Sequence, residues 1–351
     1  MRAEEIDAIA DVLGRPAAEV RPLAGGFSHE TCLLILTGGE RVVVRLGGPD
    51  PGIEAAVMAR GRAHVPVPQV LSLVPAGNGE SRPAMVLEYV TGTPLSDVLA
   101  AAGDDGNSMS ALGAEVGRVI ARIGAVTFSR PGFFTDRDLA VDELPPWSEQ
   151  LPAMAATCMA ATPAGRLDTA ARQAWSALCA AHAPALAAID AQARLVHADA
   201  NPKNILVTRA GSGWRVDAVL DWEFSFSGSP YADAANMTRF SGDYPSRFTD
   251  GFRAGFTDHP PAGLPRPADW AYLGRVLDMF ALSDLVTRPL GHPVADQAAA
   301  QIRRWLAHGV PSRLLAGGVT AAGHREIVGP EKHELVFGEL VRRDVHADGA
   351  A

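Results

Sequence analysis

The sequence predicts an α+β chain of two lobes, a small β-rich one over residues 1–90 and a larger, mainly helical one over residues 91–351. Three observations carry this reading. Before residue 90, apolar residues gather in short β-branched runs separated by glycine turns. After Pro94 they recur at helical spacing. Between the two regimes stands Thr91-Gly92-Thr93-Pro94, a linker or hinge composition.

The elements follow in order. Val20 to Phe27 and Thr31 to Thr37 read as strands around Gly25-Gly26, and Gly38-Gly39 turns the chain into the strand Arg41 to Leu46. In Ile53 to His64, residues Ile53, Ala56, Val57 and Arg60 fall at i, i+3, i+4 and i+7, a helix. Pro66 and Pro68 end it, because proline lacks an N–H and disfavours helix just before itself. Gln69 to Val74 and Ala84 to Val90 are two further strands. In the second lobe the spacing predicts helices over 95–101, 110–126, 168–187, 269–286 and 294–307. Short strands over 194–198, 205–208 and 216–221 lie among them, and the Pro, Gly and Asp of 129–147 predict a surface loop.

Composition sets bounds on function. Hydrophobic residues make up 47% and charged residues 20%, enough apolar material for a sizeable core. Cys32, Cys158 and Cys179 are scattered, odd in number and without C-x-x-C spacing, which argues against a disulfide framework or a cysteine zinc site and fits a reducing cytoplasm. Met1 to Gly14 carries Glu4, Glu5, Asp7 and Asp11 instead of a basic stretch before an apolar run, so no signal peptide is visible there. Prolines and charges interrupt the Ala-rich stretches over 151–190, and no membrane span is expected. A net charge of −9 argues against nucleic acid as a partner. It either steers a cationic small molecule or simply keeps the protein soluble.

The chemistry concentrates in Leu195-Val196-His197-Ala198-Asp199, Asn201-Pro202-Lys203-Asn204 and Asp221-Trp222-Glu223. H-x-D, an Asn five positions after the Asp, and a second Asp after a following strand is the spacing of a kinase catalytic loop. With 10 His, 24 Asp and 5 Asn in 351 residues, chance supplies H-x-D-x-x-x-x-N about 0.01 times per chain. Phosphoryl transfer needs these side chains. One carboxylate accepts the proton of the acceptor hydroxyl, while an amide oxygen and another carboxylate hold Mg²⁺ on the nucleotide phosphates. Asp199 is the expected base, and Asn204 and Asp221 the expected Mg²⁺ ligands. Asn204 also suits a turn or cap. An unpaired carboxylate at the end of an apolar strand, as at Asp221, is costly without a cation. Glu223 reads equally as a neighbour of metal or acceptor and as a surface residue.

These segments, with Gly228, Pro230 and Asp233 after them, resemble the aminoglycoside phosphotransferase family of small-molecule kinases, relatives of choline kinases and, more distantly, of protein kinases. The resemblance runs from about residue 20 to about 306 and is specific between Leu195 and Asp233. It implies a bilobal protein-kinase-like fold, residues 1–90 as nucleotide-binding lobe and 91–351 as catalytic and acceptor-binding lobe. ATP, with GTP possible, and Mg²⁺ are the implied cofactors. His197 becomes a structural hydrogen-bonding residue that orients the loop, and Asp233 a brace for it.

In the small lobe Arg45 and Glu54 stand where protein kinases keep a strand Lys and a helix Glu. Arg for Lys retains the charge but is bulkier and planar, and an exposed surface pair is the alternative. Gly25-Gly26-Phe27-Ser28-His29 is the candidate phosphate-covering loop, with Gly26 and Ser28 approaching the phosphates, or else a plain hairpin turn. No Walker pattern is present. Glu88-Tyr89-Val90 fits a hinge whose backbone at Glu88 and Val90 bonds an adenine edge, or an ordinary strand end. Asp269 and Trp270, with Tyr272, Asp278 and Asp284 on the same predicted helix, suit an amine-rich acceptor or a core face with solvated acids. Residues 331–345 read as a helix that caps the lobe or meets another subunit. The expected activity is transfer of the γ-phosphoryl group of ATP to a hydroxyl of a small, cationic molecule such as an aminoglycoside. A metabolite kinase acting on a choline-like or sugar-like acceptor is the rival. A nucleotide-binding protein without turnover would have lost Asp199, Asn204 or Asp221, and all three are present.

Overall fold

The computed structural model describes residues 1–23, 30–47, 51–76, 82–102, 106–211, 213–264 and 267–311. Gly26 and Ser28 of the expected phosphate-covering loop, and the expected helix over 331–345, lie outside the described residues.

The N-terminal region is a five-stranded antiparallel sheet in the order β1-β2-β3-β5-β4. Its strands are β1 Ala17–Pro22, β2 Glu30–Leu36, β3 Arg41–Leu46, β4 Val70–Val74 and β5 Ala84–Glu88, with helices α1 Ala3–Leu13 and α2 Pro51–Gly61 beside them. Strand side chains alternate between faces, and β3 uses both. Val42, Val44 and Leu46 join Ile9 of α1, Leu34, Leu36 and Val86 in a small core. Arg45 faces the other way, toward α2 and the second lobe. That alternation brings a cation to the space between the two regions.

In the helical region, short strands form two small three-stranded sheets. β6 Thr93–Pro94 pairs with β9 Ile205–Ala210, which forms a hairpin with β10 Gly213–Val219, while β8 Arg194–Val196 lies against β11 Phe226–Gly228, itself paired with β7 Gly132–Phe133. The helices are α3 Leu95–Ala100, α4 Gly106–Ile123, α5 Trp147–Ala161, α6 Thr169–His182, α7 Tyr231–Thr238, α8 Ser246–Asp258, α9 Trp270–Leu285 and α10 Pro293–His308. No helix among the described residues is long and apolar enough to cross a membrane.

Helices α4 and α8 run parallel and meet through glycine. A Cβ added at Gly113 would sit 2.1 Å from the Phe248 carbonyl oxygen, and one at Gly117 would sit 2.2 Å from that of Phe252. Reciprocally, Gly251 faces the Ser110 carbonyl and Gly255 that of Ala114, each at 2.1 Å. Backbone therefore packs on backbone over two turns, and Phe248, Phe252 and Phe256 fill the core beside the seam.

One sequence expectation needs correction here. The stretch 129–147 is a surface loop only in part: Phe133, Phe134, Leu139 and Trp147 are buried, and β7 lies within it. Trp147 packs edge-on to Phe133, Phe226 and Phe280, so aromatic burial overrides the turn-rich composition.

Candidate active site

Strand β8 delivers His197, Ala198 and Asp199 to the end of its sheet, and a 3₁₀ turn over Pro202–Asn204 leads into β9. Hairpin β9–β10 then returns the chain, and the Leu220 N–H donates to the Asn204 carbonyl at 2.8 Å. Asp221 follows directly, so Asn204 and Asp221 are neighbours in space through that bond. Strand β10 ends at Val219, two residues before the expected end, and Asp221 has a left-handed backbone with φ 67°.

Asp199 is partly buried, and both its carboxylate oxygens accept from amides. Asn204 Nδ2 donates to Oδ2 at 2.7 Å and Asn201 Nδ2 to Oδ1 at 2.8 Å. Asn204 Nδ2 also donates to the Asp199 carbonyl at 3.0 Å. Its nitrogen is thus committed to Asp199, which leaves Oδ1 as the atom for a cation. Asn201 is a neighbour of Asp199 whose part in holding that carboxylate the sequence reading passed over. Its signal was available, since an Asn directly before a turn accepts from the backbone N–H two positions on, here that of Lys203 at 2.9 Å.

His197 is fully buried and uses both ring nitrogens. Nε2 lies 2.9 Å from the Leu220 carbonyl and Nδ1 accepts from the Asp199 N–H at 3.1 Å, which assigns the neutral ring with its proton on Nε2. Burial pushes the His197 pKa down to about 4, against the pull of Asp221 and the Leu220 carbonyl. From α7, Asp233 accepts the His197 and Ala198 N–H groups, each at 2.9 Å. Burial pushes the Asp233 carboxyl up to about 7, and the two N–H donors oppose it.

From the first region, Arg45 reaches three carboxylates. Nη1 meets Glu54 at 2.5 Å, while Nη2 meets Asp221 at 2.9 Å and Glu223 at 3.8 Å. Burial alone would lower the Arg45 pKa, but Glu54, Asp221 and Glu223 together raise it. Glu54 also accepts from the Trp222 N–H at 3.1 Å. The Trp222 indole is fully buried, tilted at 4.6 Å against His197, and fits over Gly61, where an added Cβ would lie 3.1 Å from the ring. Arg45 and Glu54 are therefore a buried pair, and the surface alternative is excluded. Glu223, with its side chain 5% exposed, belongs to the same cluster and is no surface residue.

One guanidinium among three carboxylates leaves an excess of negative charge, and the oxygens of Asn204 and Asp221 lie beside it. Among the described residues no three His, Cys, Asp or Glu side chains are arranged to hold a metal by themselves. A hard cation that takes one or two protein oxygens and fills its shell with phosphates and water suits this donor set.

Glu88 ends β5, and its N–H is taken by the Gln69 carbonyl at 2.8 Å. Its pairing with Val42 closes the ladder, so Tyr89 and Val90 lie past the last strand partner, with Arg41 stacked 4.4 Å over the Tyr89 ring. The helix α9 residues divide. Asp269 is exposed just before the helix, and the Trp270 ring packs tilted against Phe256 at 5.0 Å and Tyr231 at 5.8 Å. The acids Asp278 and Asp284 are buried and paired with Arg239 and Arg288, which corrects the expectation of a solvated acidic face.

Solved structures share the fold at low identity. Aminoglycoside phosphotransferase APH(4)-Ia aligns over 88% of this chain and 100% of its own with 20% identity and a TM-score of 0.64. A thermostable mutant of that enzyme, solved with ADP and hygromycin B, gives a TM-score of 0.63 at 19% identity over 87% and 99% of the two chains. A putative fructosamine-3-kinase from Thermobifida fusca gives 0.54 at 17% identity over 85% and 98%. No curated protein matches by sequence. Residues 19–270 match the family described as APH, phosphotransferase enzyme family, and since this is well over half of the chain, the protein belongs to that family of small-molecule kinases.

Proposed function

We propose that the protein transfers the γ-phosphoryl group of ATP to a hydroxyl of a small molecule, with an aminoglycoside or related cationic compound as acceptor. The observation that carries this reading is the convergence of Asp199, Asn204 and Asp221 through the Asn204–Asp199 and Leu220–Asn204 bonds. Asp199 is the base, held by Asn201 and Asn204 so that its carboxylate keeps one orientation toward an incoming hydroxyl. Asn204 Oδ1 and Asp221 would hold Mg²⁺, which when bound neutralises charge on the β- and γ-phosphates. Arg45, fixed by Glu54, supplies a further positive charge to the phosphates. Residues 1–90 form the nucleotide lobe, with Glu88 and Val90 at the adenine edge, and residues 91–351 carry the base and the acceptor.

The neighbours support nucleotide use in kind. One was solved with ADP and an aminoglycoside 2'-phosphotransferase with GDP. A second reading, a metabolite kinase acting on a sugar-like acceptor, is favoured by one observation: Asp278 and Asp284, which a polycation would seek, are already neutralised by buried arginines. The test is a coupled ADP-release assay over aminoglycosides, ketosamines, choline-like amines and sugars, run on wild type and Asp199→Asn. Turnover of one acceptor, lowered by about a hundredfold or more in the variant, is expected for loss of a general base. Undiminished turnover in Asp199→Asn would remove the base assignment.

A further inference from the structure

The peptide that carries Asp199 is unusual. Ala198, which is not glycine, has φ 69°, a left-handed conformation that L-residues hold only when their surroundings impose it. Three hydrogen bonds surround this residue. The Ala198 N–H goes to Asp233 Oδ1 at 2.9 Å. The plane joining Ala198 to Asp199 is gripped at both ends, its N–H by His197 Nδ1 at 3.1 Å and its carbonyl by Asn236 Nδ2 at 2.6 Å. Asn236 lies one turn after Asp233 on α7, so one helix face supplies both an acceptor and a donor to the loop.

Asn236 is 5% exposed, and its Oδ1 is buried without a hydrogen-bond partner among the described residues. A buried amide that satisfies only one end is costly, and an apolar residue of similar size would pack there without that cost. What the amide adds is its N–H on the Ala198 carbonyl. We propose that Asn236 is a positioning residue for phosphoryl transfer, fixing the Ala198–Asp199 peptide plane and through it the direction of the Asp199 carboxylate. The inference rests on the phosphotransferase reading above. Asn236 touches neither nucleotide nor acceptor in this scheme, so its removal tilts the base and leaves substrate binding in place.

The experiment compares wild type with Asn236→Ala and with Asn236→Leu, which keeps the size but removes the donor. Steady-state kinetics use an acceptor that wild type phosphorylates, and calorimetry uses ADP with Mg²⁺. Misplacement of a catalytic group by about 1 Å costs on the order of a hundredfold, so kcat falls by about 10- to 100-fold in both variants. Both KM values and the MgADP affinity stay within about threefold, a split that simple loss of packing does not produce. Hydrogen exchange over residues 197–204 reads the grip itself and rises in both variants. If kcat stays within twofold of wild type in both, or exchange there is unchanged, the inference is wrong. A wild-type protein that binds no MgADP and phosphorylates no acceptor overturns the functional reading instead, while exchange still reports on the grip.

Discussion

Substituting Gly117 by Ala puts two opposed effects in one position. In an exposed helix interior, Gly→Ala stabilises by about 1 kcal/mol through helix propensity. At Gly117 the new Cβ meets the Phe252 carbonyl oxygen at 2.2 Å and the Phe256 nitrogen at 2.7 Å, closer than real Cβ contacts, and both atoms are backbone that no rotamer change can clear. Helices α4 and α8 must separate by about 1 Å, enough to forfeit a quarter to a half of the dispersion energy of the contacts along the seam. Overpacking of a filled core typically costs about 1–3 kcal/mol, and parting two helices lies at the upper end of that range. We expect Gly117→Ala to lose about 2 kcal/mol net. Urea unfolding followed by circular dichroism, with equal m-values, measures it. The double variant Gly117→Ala, Gly255→Ala should lose less than the sum of its parts, because helices already parted accept the second methyl cheaply. A Gly117→Ala protein as stable as wild type, or more so, would show that the helices do not approach this closely.

Three further outcomes are expected. His197 has a folded pKa of about 4 against 6.5 unfolded, so it loses stability as pH falls from 6.5 to 4, while Asp233, raised from 3.8 to about 7, loses stability as pH rises through that range. The two oppose each other, and His197→Gln should expose the Asp233 slope: its destabilisation relative to wild type grows by about 1.4 kcal/mol per pH unit between pH 4 and 6.5 in urea titrations, and a pH-independent difference would refute this. Arg45→Met takes the guanidinium from Glu54, Asp221 and Glu223 and should cost about 3–5 kcal/mol, as breaking a buried pair does; a loss below about 1 kcal/mol in the same assay would mean that water already screens the cluster. Asp221→Ala should keep the wild-type circular dichroism spectrum yet lose the Mg²⁺-dependent tightening of ADP binding seen by calorimetry, and unchanged tightening would remove Asp221 from the metal site.

Strands β2, β3, β4 and β5 and helix α2 were legible because their apolar spacing is regular and their ends are marked by glycine or proline. Spacing alone also connected Asp199, Asn204 and Asp221, and the structure brings them together. Helix α8 was not legible. Gly251, Gly255 and two threonines give it poor intrinsic propensity, and it exists because α4 offers a glycine-lined surface to a parallel partner. Asn201 and Asn236 were missed for a related reason. Asn201 acts on the Asp199 carboxylate and Asn236 on the Ala198 carbonyl, and such lone side chains leave no periodic trace.

Glu54 receives two donors at one oxygen, the Arg45 guanidinium and the Trp222 main-chain N–H. In protein kinases the equivalent helix swings, and its arrival is what regulation controls. Here a swing of α2 would strand a cation, a main-chain amide and the contact of Gly61 with the indole all at once. Three contacts of different kinds thus hold α2 in one place against the second lobe, and moving it costs all of them together.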